Sequence, residues 1–559
     1  MGIKGLTTYM QKNYEWKEIG KDSPLRGQLL IDAMSCCYSL YDGIDWTYGG
    51  QYKEFDQKCR AFLANLRQSG IEPIFVFDGV DYEGEKARVI LERKEKTAKC
   101  IQSLLLYGNY PIDGPRSCLP VFAKVVFMEV LKELRIPFIV ADGDADSLTV
   151  SISNFYGCPV LSSDSDYYIF NVKGGYIPFE YFYWESKPIN AKIYHLSNFS
   201  AIFREPEIIY LIPALIGNDF LESPHLGENT MNTDELVEWI ASFRSVEKFL
   251  SRFCKSEQVM AIRENFHKAK DMYSIDEISM DDARKSTELK TANGTPLPSW
   301  ILEQYRDGCF STSVLDPMIL NECILPMITD NPKKESSMKI GKPLREYMYG
   351  LLKPYLEVQK VEEGMRIGQC DIQFKPVRPL AAPQCLITDV DALRDEERLG
   401  LLCNIFEVLP DELGHHSRFQ IDGPWTKRQL DSLHSFSMWQ CVYYEAMKLN
   451  DVLKRPLEFT SPALLFNGRL CLYYACMKEA DFDVIKEETL TKFPDMARLC
   501  KELLSICSPR EVSRGSSSHK ASKEKHKQPA AAAKKTYSRS TPVSTANPFG
   551  LLADLDEEN

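Results

Sequence analysis

At 559 residues with 44% apolar side chains, the chain is too long for one hydrophobic core and implies about two to four domains plus tails. Its net charge of −12 argues against a partner held by bulk attraction to phosphate, although a nucleic-acid backbone meets a local patch rather than a total. The 17 cysteines form no Cys-x-x-Cys pair and no Cys/His array of zinc spacing, which excludes a zinc module and suits buried thiols in a reducing compartment. A signal-peptide pattern and an apolar run of about 18 residues are both missing, so a soluble intracellular protein with no membrane contact is expected. Met1-Gly2 does not make a myristoylation motif, because Leu6 stands where Ser or Thr is required.

Taken in order, the chain opens with Met-Gly-Ile-Lys-Gly-Leu, where Gly2 and Gly5 permit close backbone approach and a helix starts at Leu6. An apolar strand from Gln28 ends in Asp32, and a helical pattern runs from Tyr52 to Ser69. A second strand, Pro73 to Phe77, ends in Asp78. The charged stretch Glu83–Lys99 reads as a helix in which Lys86 and Arg93, two turns apart, share a face that overhangs whatever follows Asp78. Its interleaved glutamates equally suit a solvated surface. Residues 100–118 read as an irregular connection or lid, and a helix is expected from Leu119 to Leu134.

Two further apolar runs each end in alternate carboxylates, Asp144 and Asp146 after Phe-Ile-Val-Ala, and Asp164 and Asp166 after Pro-Val-Leu-Ser-Ser. One Asp-x-Asp is ordinary cap or turn chemistry. Two of them, separated by roughly one helix, place four acids at the ends of successive parallel strands. Acids that close repel one another and raise each other's pKa unless a cation sits among them. The βα alternation predicts a doubly wound, mostly parallel α/β sheet, with Asp32, Asp78, Asp144, Asp146, Asp164 and Asp166 in one crevice beyond its carboxyl edge. After a Gly174-Gly175 turn, the aromatics from Tyr176 to Trp184 suggest a strand pair. An apolar helix from Glu205 to Ile216 is closed by Gly217-Asn218-Asp219-Phe220, which supplies a seventh carboxylate.

From about Asn232 to Ser508 amphipathic helical patterns recur, such as Asp234–Phe243 and Thr426–Lys448, with proline-rich breaks at 326–343 and 376–383. His415, His416 and His434 lack ligand spacing and read as surface or packed histidines. Arg510–Arg539 holds nine Lys/Arg against Glu511 and Glu524, a basic, low-hydrophobicity tail that reads as disordered and serves equally as a nuclear-localisation signal, a nucleic-acid arm or a solubilising segment. The division expected is residues 1–225 as an α/β domain, 226–507 as a mainly helical domain and 508–559 as the tail. Protein partners are assigned by default to the helical domain or to the tail's acidic-hydrophobic end.

Met-Gly-Ile-Lys-Gly-Leu, Ile-Asp-Ala at Asp32, Val-Phe-Asp-Gly at Asp78, Gly-Asp-Ala-Asp-Ser, Ser-Asp-Ser-Asp and Gly-Asn-Asp-Phe, in that order, resemble the motifs of the flap-endonuclease superfamily, most closely its asteroid-homologue branch. The resemblance covers roughly residues 1–225. It implies a PIN-like nuclease core in which Asp32, Asp78, Asp144, Asp146, Asp164, Asp166 and Asp219 hold two Mg²⁺ ions, with Mn²⁺ as a substitute. One ion would activate a water and the other would stabilise the leaving 3′ oxygen of a phosphodiester. By the same likeness Lys86 and Arg93 match the basic pair over the scissile phosphate, offset by about one residue, and Gly2 matches the glycine beside the substrate.

Three departures shape what the resemblance implies. Asp144 and Asp146 stand where many relatives carry the longer Glu. The hairpin that grips duplex DNA is missing after Asp219, where the chain runs Leu-Glu-Ser-Pro-His-Leu-Gly-Glu-Asn-Thr, and the stretch between Lys86 and Leu119 is short for an arched cap. The expected function is therefore a Mg²⁺-dependent endonuclease cutting DNA of single-stranded character, such as single strands, overhangs or flaps, in the nucleus and in DNA repair. Two alternatives stand beside it: an inactive nuclease fold that binds RNA or protein, and a nuclease acting on RNA.

Overall fold

The computed structural model describes residues 2–14, 16–20, 24–81, 86–111, 118–224, 231–253, 256–286, 289–356, 358–380 and 425–468. The chain divides into two compact units. One comprises Met1–Leu409 and Arg418–Met477, and the other, Pro410–Ser417 with Lys478–Asn559, lies outside the described residues, as do His415, His416, Pro383 and the basic tail.

Helix α1 (Leu6–Asn13) and the short strand β1 (Lys17–Ile19) precede β2 (Gly27–Asp32), whose Leu-Leu-Ile run is buried on both faces. Then follow α2 (Ala33–Tyr41), α3 (Tyr52–Gln68), β3 (Ile71–Phe77), α4 (Ala87–Tyr107), α5 (Ala123–Glu133), β4 (Phe138–Val140), α6 (Ala145–Tyr156), β5 (Val160–Ser162) and β6 (Tyr176–Pro178). Strands β2 to β6 form one parallel sheet in the order β4-β3-β2-β5-β6. Alternation along the strands feeds two cores. Leu29, Ile31, Phe75 and Phe77 pack beneath α2, α3 and α5, while Leu30, Ile74 and Val76 point to the opposite layer with α1 and α6. This is the doubly wound arrangement expected, and strand order reverses between β2 and β5, where ligands of such sheets bind.

Local departures have physical causes. Helix α4 runs on to Tyr107 rather than breaking near residue 100, because Ile101 and Leu105 are buried at helical spacing, and it stops at Gly108 in the left-handed region. The aromatic run splits: β6 joins the parallel sheet, whereas β7 (Phe182–Tyr183) pairs with β8 (Asn190–Ile193), which pairs in turn with β1. Gly175, at φ +93, makes the entry to β6 feasible, since a Cβ there would strike Ile193. Pro206 and Pro213 leave the expected Glu205–Ile216 helix as a 3₁₀ turn, Pro206–Tyr210, after the five-residue helix α7 (Leu196–Ser200) and before α8 (Leu211–Ile216).

Beyond residue 230 come α9 (Thr233–Ala241), α10 (Val246–Leu250), α11 (Ser256–Met272), α12 (Met280–Lys285), α13 (Ser299–Arg306), α14 (Thr312–Ile319), β9 (Glu322–Ile324), α15 (Lys342–Leu351), β10 (Val361–Ile367), β11 (Asp371–Val377) and α16 (Lys427–Val452). The region is largely helical, with a three-stranded sheet β11-β10-β9 that helical periodicity did not reveal. Helix α16 starts at a Thr426/Gln429 capping box, and its Leu430, Leu433, Leu449 and Val452, with Leu453 just beyond its end, are buried in the core that holds Leu40, Phe55 and Phe122. Tyr52 donates to Gln440 (2.8 Å), and Phe122 packs on Tyr443 and Tyr444. At about 1.5–3 kcal/mol per buried aliphatic side chain, set against a typical total stability of about 5–15 kcal/mol, this helix is part of the core beneath the parallel sheet rather than an appendage. His434 is buried and hydrogen-bonds Ser337 (3.2 Å), a packed histidine.

Candidate functional site

Each strand end places its aspartate by a local hydrogen bond. Asp32 closes β2 and caps α2, its Oδ1 accepting from the Ser35 amide (3.0 Å) and its Oδ2 from the Ser162 hydroxyl (2.7 Å). Asp78, after β3, accepts from the Ala145 amide (3.1 Å). Asp144 caps α6 through the Asp146 amide (2.9 Å), and Asp164 caps the 3₁₀ turn Ser165–Tyr168 through the Asp166 amide (3.1 Å). Capping is therefore real for three of the acids, and it orients them without supplying a positive charge.

The structure brings Asp146, Asp164 and Asp166 together, with one carboxylate oxygen from each lying within 4.8 Å of the others. Asp32 and Asp78 repel one another, and Asp32 also repels Asp146, which puts both beside the trio. Asp219 acts on Asp164 and Asp166 in the same sense. Burial first, and then these neighbours, pushes Asp32 up to about 7 and holds Asp146, Asp164 and Asp166 above the usual carboxylate range. The two cations anticipated from sequence reach the crevice: Lys86, at the start of α4, pairs with Asp144, and Arg93 pairs with Asp219 at 2.6 and 2.8 Å. Among the described residues, Asp144 and Asp219 are thus the members with a direct side-chain cation, whereas Lys86 and, at Asp164, the amino terminus act on the trio electrostatically without keeping its acids from being raised.

Gly2 sits against the same group. At φ +70, a Cβ on it would fall on Asp164 Oδ1 and lie 2.7 Å from Ser165 Oγ and 2.9 Å from Asp166 Oδ1. Asp166 Oδ1 is buried without a hydrogen-bond partner. A buried, unpartnered carboxylate oxygen beside two more acids, all hard oxygen donors, fits a divalent cation such as Mg²⁺.

Two residues of the site escaped sequence reasoning. Tyr38, on α2, is 44% exposed and lies within electrostatic reach of Asp78 and Arg93, an aromatic at the rim of the crevice. Its signal was weak, since one tyrosine in an apolar helix reads as core. Tyr273, after α11, is 3% exposed, accepts from Asn218 Nδ2 beside Asp219 (3.0 Å) and packs on Phe170 after the Asp164–Asp166 turn, from outside the motif-bearing region, where no motif could mark it.

A doubly wound parallel sheet with an acidic crevice at its carboxyl edge defines an α/β protein with a candidate metal site at the topological switch point. The Asteroid N-terminal domain family matches residues 411–514, of which 425–468 are described. A zebrafish (Danio rerio) protein named single-strand DNA endonuclease ASTE1 is 27% identical over 382 residues, covering 63% of this chain and 54% of the relative. The human protein of that name is 26% identical over 388 residues, covering 63% and 56%. The Drosophila melanogaster protein asteroid is 30% identical over 184 residues, covering 32% and 20%. The chain spans about half the length of the first two relatives. Among solved structures, the catalytic core of Rad2 in complex with DNA substrate aligns at TM-score 0.33 and 16% identity, covering 54% of this chain and 85% of that one. Human GEN1 in complex with Holliday junction DNA aligns at TM-score 0.31 and 14% identity, covering 57% and 77%. The asteroid-like relatives bear out the resemblance to the asteroid homologues.

Proposed function

We propose that the chain is a metal-dependent endonuclease that hydrolyses phosphodiester bonds in DNA of single-stranded character, acting in the nucleus and in DNA repair. The observation that carries this reading is the Asp146–Asp164–Asp166 trio, held within 4.8 Å and buried with Asp166 Oδ1 unpartnered. Folding does not require repelling acids to stand together, whereas a divalent cation does. Asp146, Asp164 and Asp166 would hold the ion directly, with Asp32, Asp78, Asp144 and Asp219 completing the oxygen shell of a two-ion site. Bound Mg²⁺ supplies charge neutralisation and a water acidic enough to act near neutral pH.

The chain's own residues carry the rest. Lys86 and Arg93, on the face of α4 that overhangs the crevice, bind the phosphate oxygens. Gly2 keeps the floor open for the approaching backbone, and Tyr38 offers a stacking face for an unpaired base at the rim. The absence from the sequence of the duplex-gripping hairpin and the name of the relatives, single-strand DNA endonuclease, support a single-stranded substrate. Protein partners are assigned to the helical region or to the tail.

The test is incubation of purified full-length protein with labelled single-stranded, 5′-flap, 3′-overhang, duplex and RNA substrates in Mg²⁺, beside Asp164→Ala. Cleavage of single strands or overhangs that falls by about 10³-fold or more in the variant is expected, the scale of losing one member of a unit that acts together. Cleavage that survives the substitution would place the activity elsewhere, and binding without cleavage would favour the scaffold reading. Preferred cutting of long duplex would contradict the substrate assignment.

A further inference from the structure

Helix α4 carries both cations of the crevice, and it is fastened to the region beyond residue 230. Lys94, next to Arg93, donates from Nζ to the Leu325 carbonyl (2.6 Å). Leu325 directly follows β9, and its own amide donates to the Gly364 carbonyl of β10 (2.9 Å). Two turns further along α4, Gln102 Nε2 donates to Gln369, and Gln102 Oε1 accepts from the Cys370 thiol (2.7 Å), in the turn that joins β10 to β11. The Leu105 carbonyl accepts from the Trp425 amide (3.0 Å), just ahead of α16. Three separate pieces of the helical region therefore grip one helix over about three turns.

The spacing makes these attachments directional. Lys94, Ala98, Ile101 and Leu105 recur at i, i+4, i+7 and i+11, one face of the helix, and the three apolar members are at most 3% exposed. Arg93 stands one residue, about 100°, round the axis from Lys94, and Lys86 shares Arg93's face two turns earlier. Held at Lys94, Gln102 and Leu105, the helix cannot roll without breaking those bonds. The pointing of Arg93 to Asp219 and of Lys86 to Asp144 is thereby set from outside the parallel-sheet region. The Lys94 bond goes to a carbonyl, so it fixes a place without cancelling a charge.

We propose that the β9–β11 sheet and the Trp425 junction clamp α4 so that Lys86 and Arg93 stand preorganised over the crevice, with Lys94 as the positioning residue of the clamp. The proposal rests on the endonuclease reading above and gives the helical region its part in the reaction. Substrate binding then requires only that the two cationic side chains turn from their aspartates to the phosphate, with the helix axis unmoved. Charges placed in advance need no reorganisation at the moment of reaction, and a misplacement of about 1 Å can cost about 10²-fold in rate.

The test is a double-mutant cycle on kcat/KM for labelled single-stranded DNA in Mg²⁺, using the full-length parent, Lys94→Met, Arg93→Ala and the double variant. Lys94→Met keeps an apolar stem and removes the donor. It should lower kcat/KM by about tenfold or more in the parent and by much less in the Arg93→Ala chain, because the group it positions is gone; a general folding defect would cost the same in both. Lys94→Arg, still a donor, should recover most of the rate. Gln102→Ala, at a half-buried site about two turns from Lys94, should give a smaller loss at a melting temperature close to the parent's, and it decides the matter if Lys94→Met does not fold. Equal losses in the two backgrounds, or Lys94→Met and Gln102→Ala chains that cleave as fast as the parent, would overturn the proposal and leave the endonuclease reading standing. A parent chain that cleaves no substrate would overturn that reading and this proposal with it.

Discussion

Two of the protein's clusters of buried charge are treated oppositely. In the crevice, seven aspartates gather with Lys86 and Arg93, and Asp32, Asp146, Asp164 and Asp166 are pushed upward in pKa, by burial first and then by neighbouring acids. In the helical region, Arg345 meets Glu363 at 2.6 Å and Glu445 at 3.4 Å, Lys448 meets Glu445 at 2.8 Å, and Arg366 meets Asp330 at 2.8 Å. Those side chains are at most 4% exposed, yet every acid faces a base. Tyr349 adds a hydrogen bond to Glu363 (2.8 Å). The second cluster is internally neutralised and joins α15, β10 and α16. The first is left short of positive charge, and that shortage distinguishes a place built to receive a cation from one built to hold elements together.

The sharpest way to break the contrast is to unpair the balanced cluster. Arg345→Ala leaves Glu363 and Glu445 buried without their shared partner and should cost about 3–5 kcal/mol of stability, read by denaturant unfolding. A loss below about 1 kcal/mol would show that the network does not need its charge balance. Next in size is the rim of the crevice: Tyr38→Ala should weaken single-stranded DNA binding by about 1–3 kcal/mol, the worth of one base–aromatic stack. A fluorescence-anisotropy titration checks this, and unchanged affinity would return Tyr38 to a packing role.

The smallest and most gradual effect is in pH. In the metal-free chain, Asp32, raised to about 7, and its raised neighbours bind more protons folded than unfolded. Stability must therefore fall as pH rises from about 4, where unfolded aspartates titrate, to about 7. Asp316, pushed by burial to about 7, and Asp451, to about 6, add slopes of the same sign away from the crevice. Saturating Mg²⁺ should remove only the crevice's share, because ligation requires the deprotonated acids. Melting curves across that range, with and without metal, measure the difference.

Much of this was legible in the residues. Apolar runs that each end in Asp gave the parallel sheet and its crevice, because a strand buried on both faces cannot hide its register and its acid must emerge at the end. Lys86 and Arg93 were legible as a pair because seven residues are two turns of a helix. Tyr273 was not, since its contacts with Phe170 and Asn218 depend on α11 returning the chain to the Asp164–Asp166 turn, and no local pattern encodes that return. The β9–β11 sheet was hidden for a related reason. Its Asp371–Val377 strand is mostly exposed and lacks the apolar alternation that marks a half-buried strand. Largely buried, α16 likewise carries polar residues such as Ser437, Gln440 and Glu445 inside the core, where an amphipathic reading places them at the surface.

The central claim is that the crevice acids repel one another in the absence of a cation and are stabilised by one. Thermal unfolding of the parent chain and of Asp146→Asn at pH 7.5, in chelator and in Mg²⁺, tests it most directly. The variant should melt higher than the parent in chelator, because one repelling charge is gone, and it should gain little from Mg²⁺, whereas the parent should gain clearly. A parent chain indifferent to Mg²⁺, or an Asp146→Asn chain that melts lower than the parent in chelator, would contradict the account.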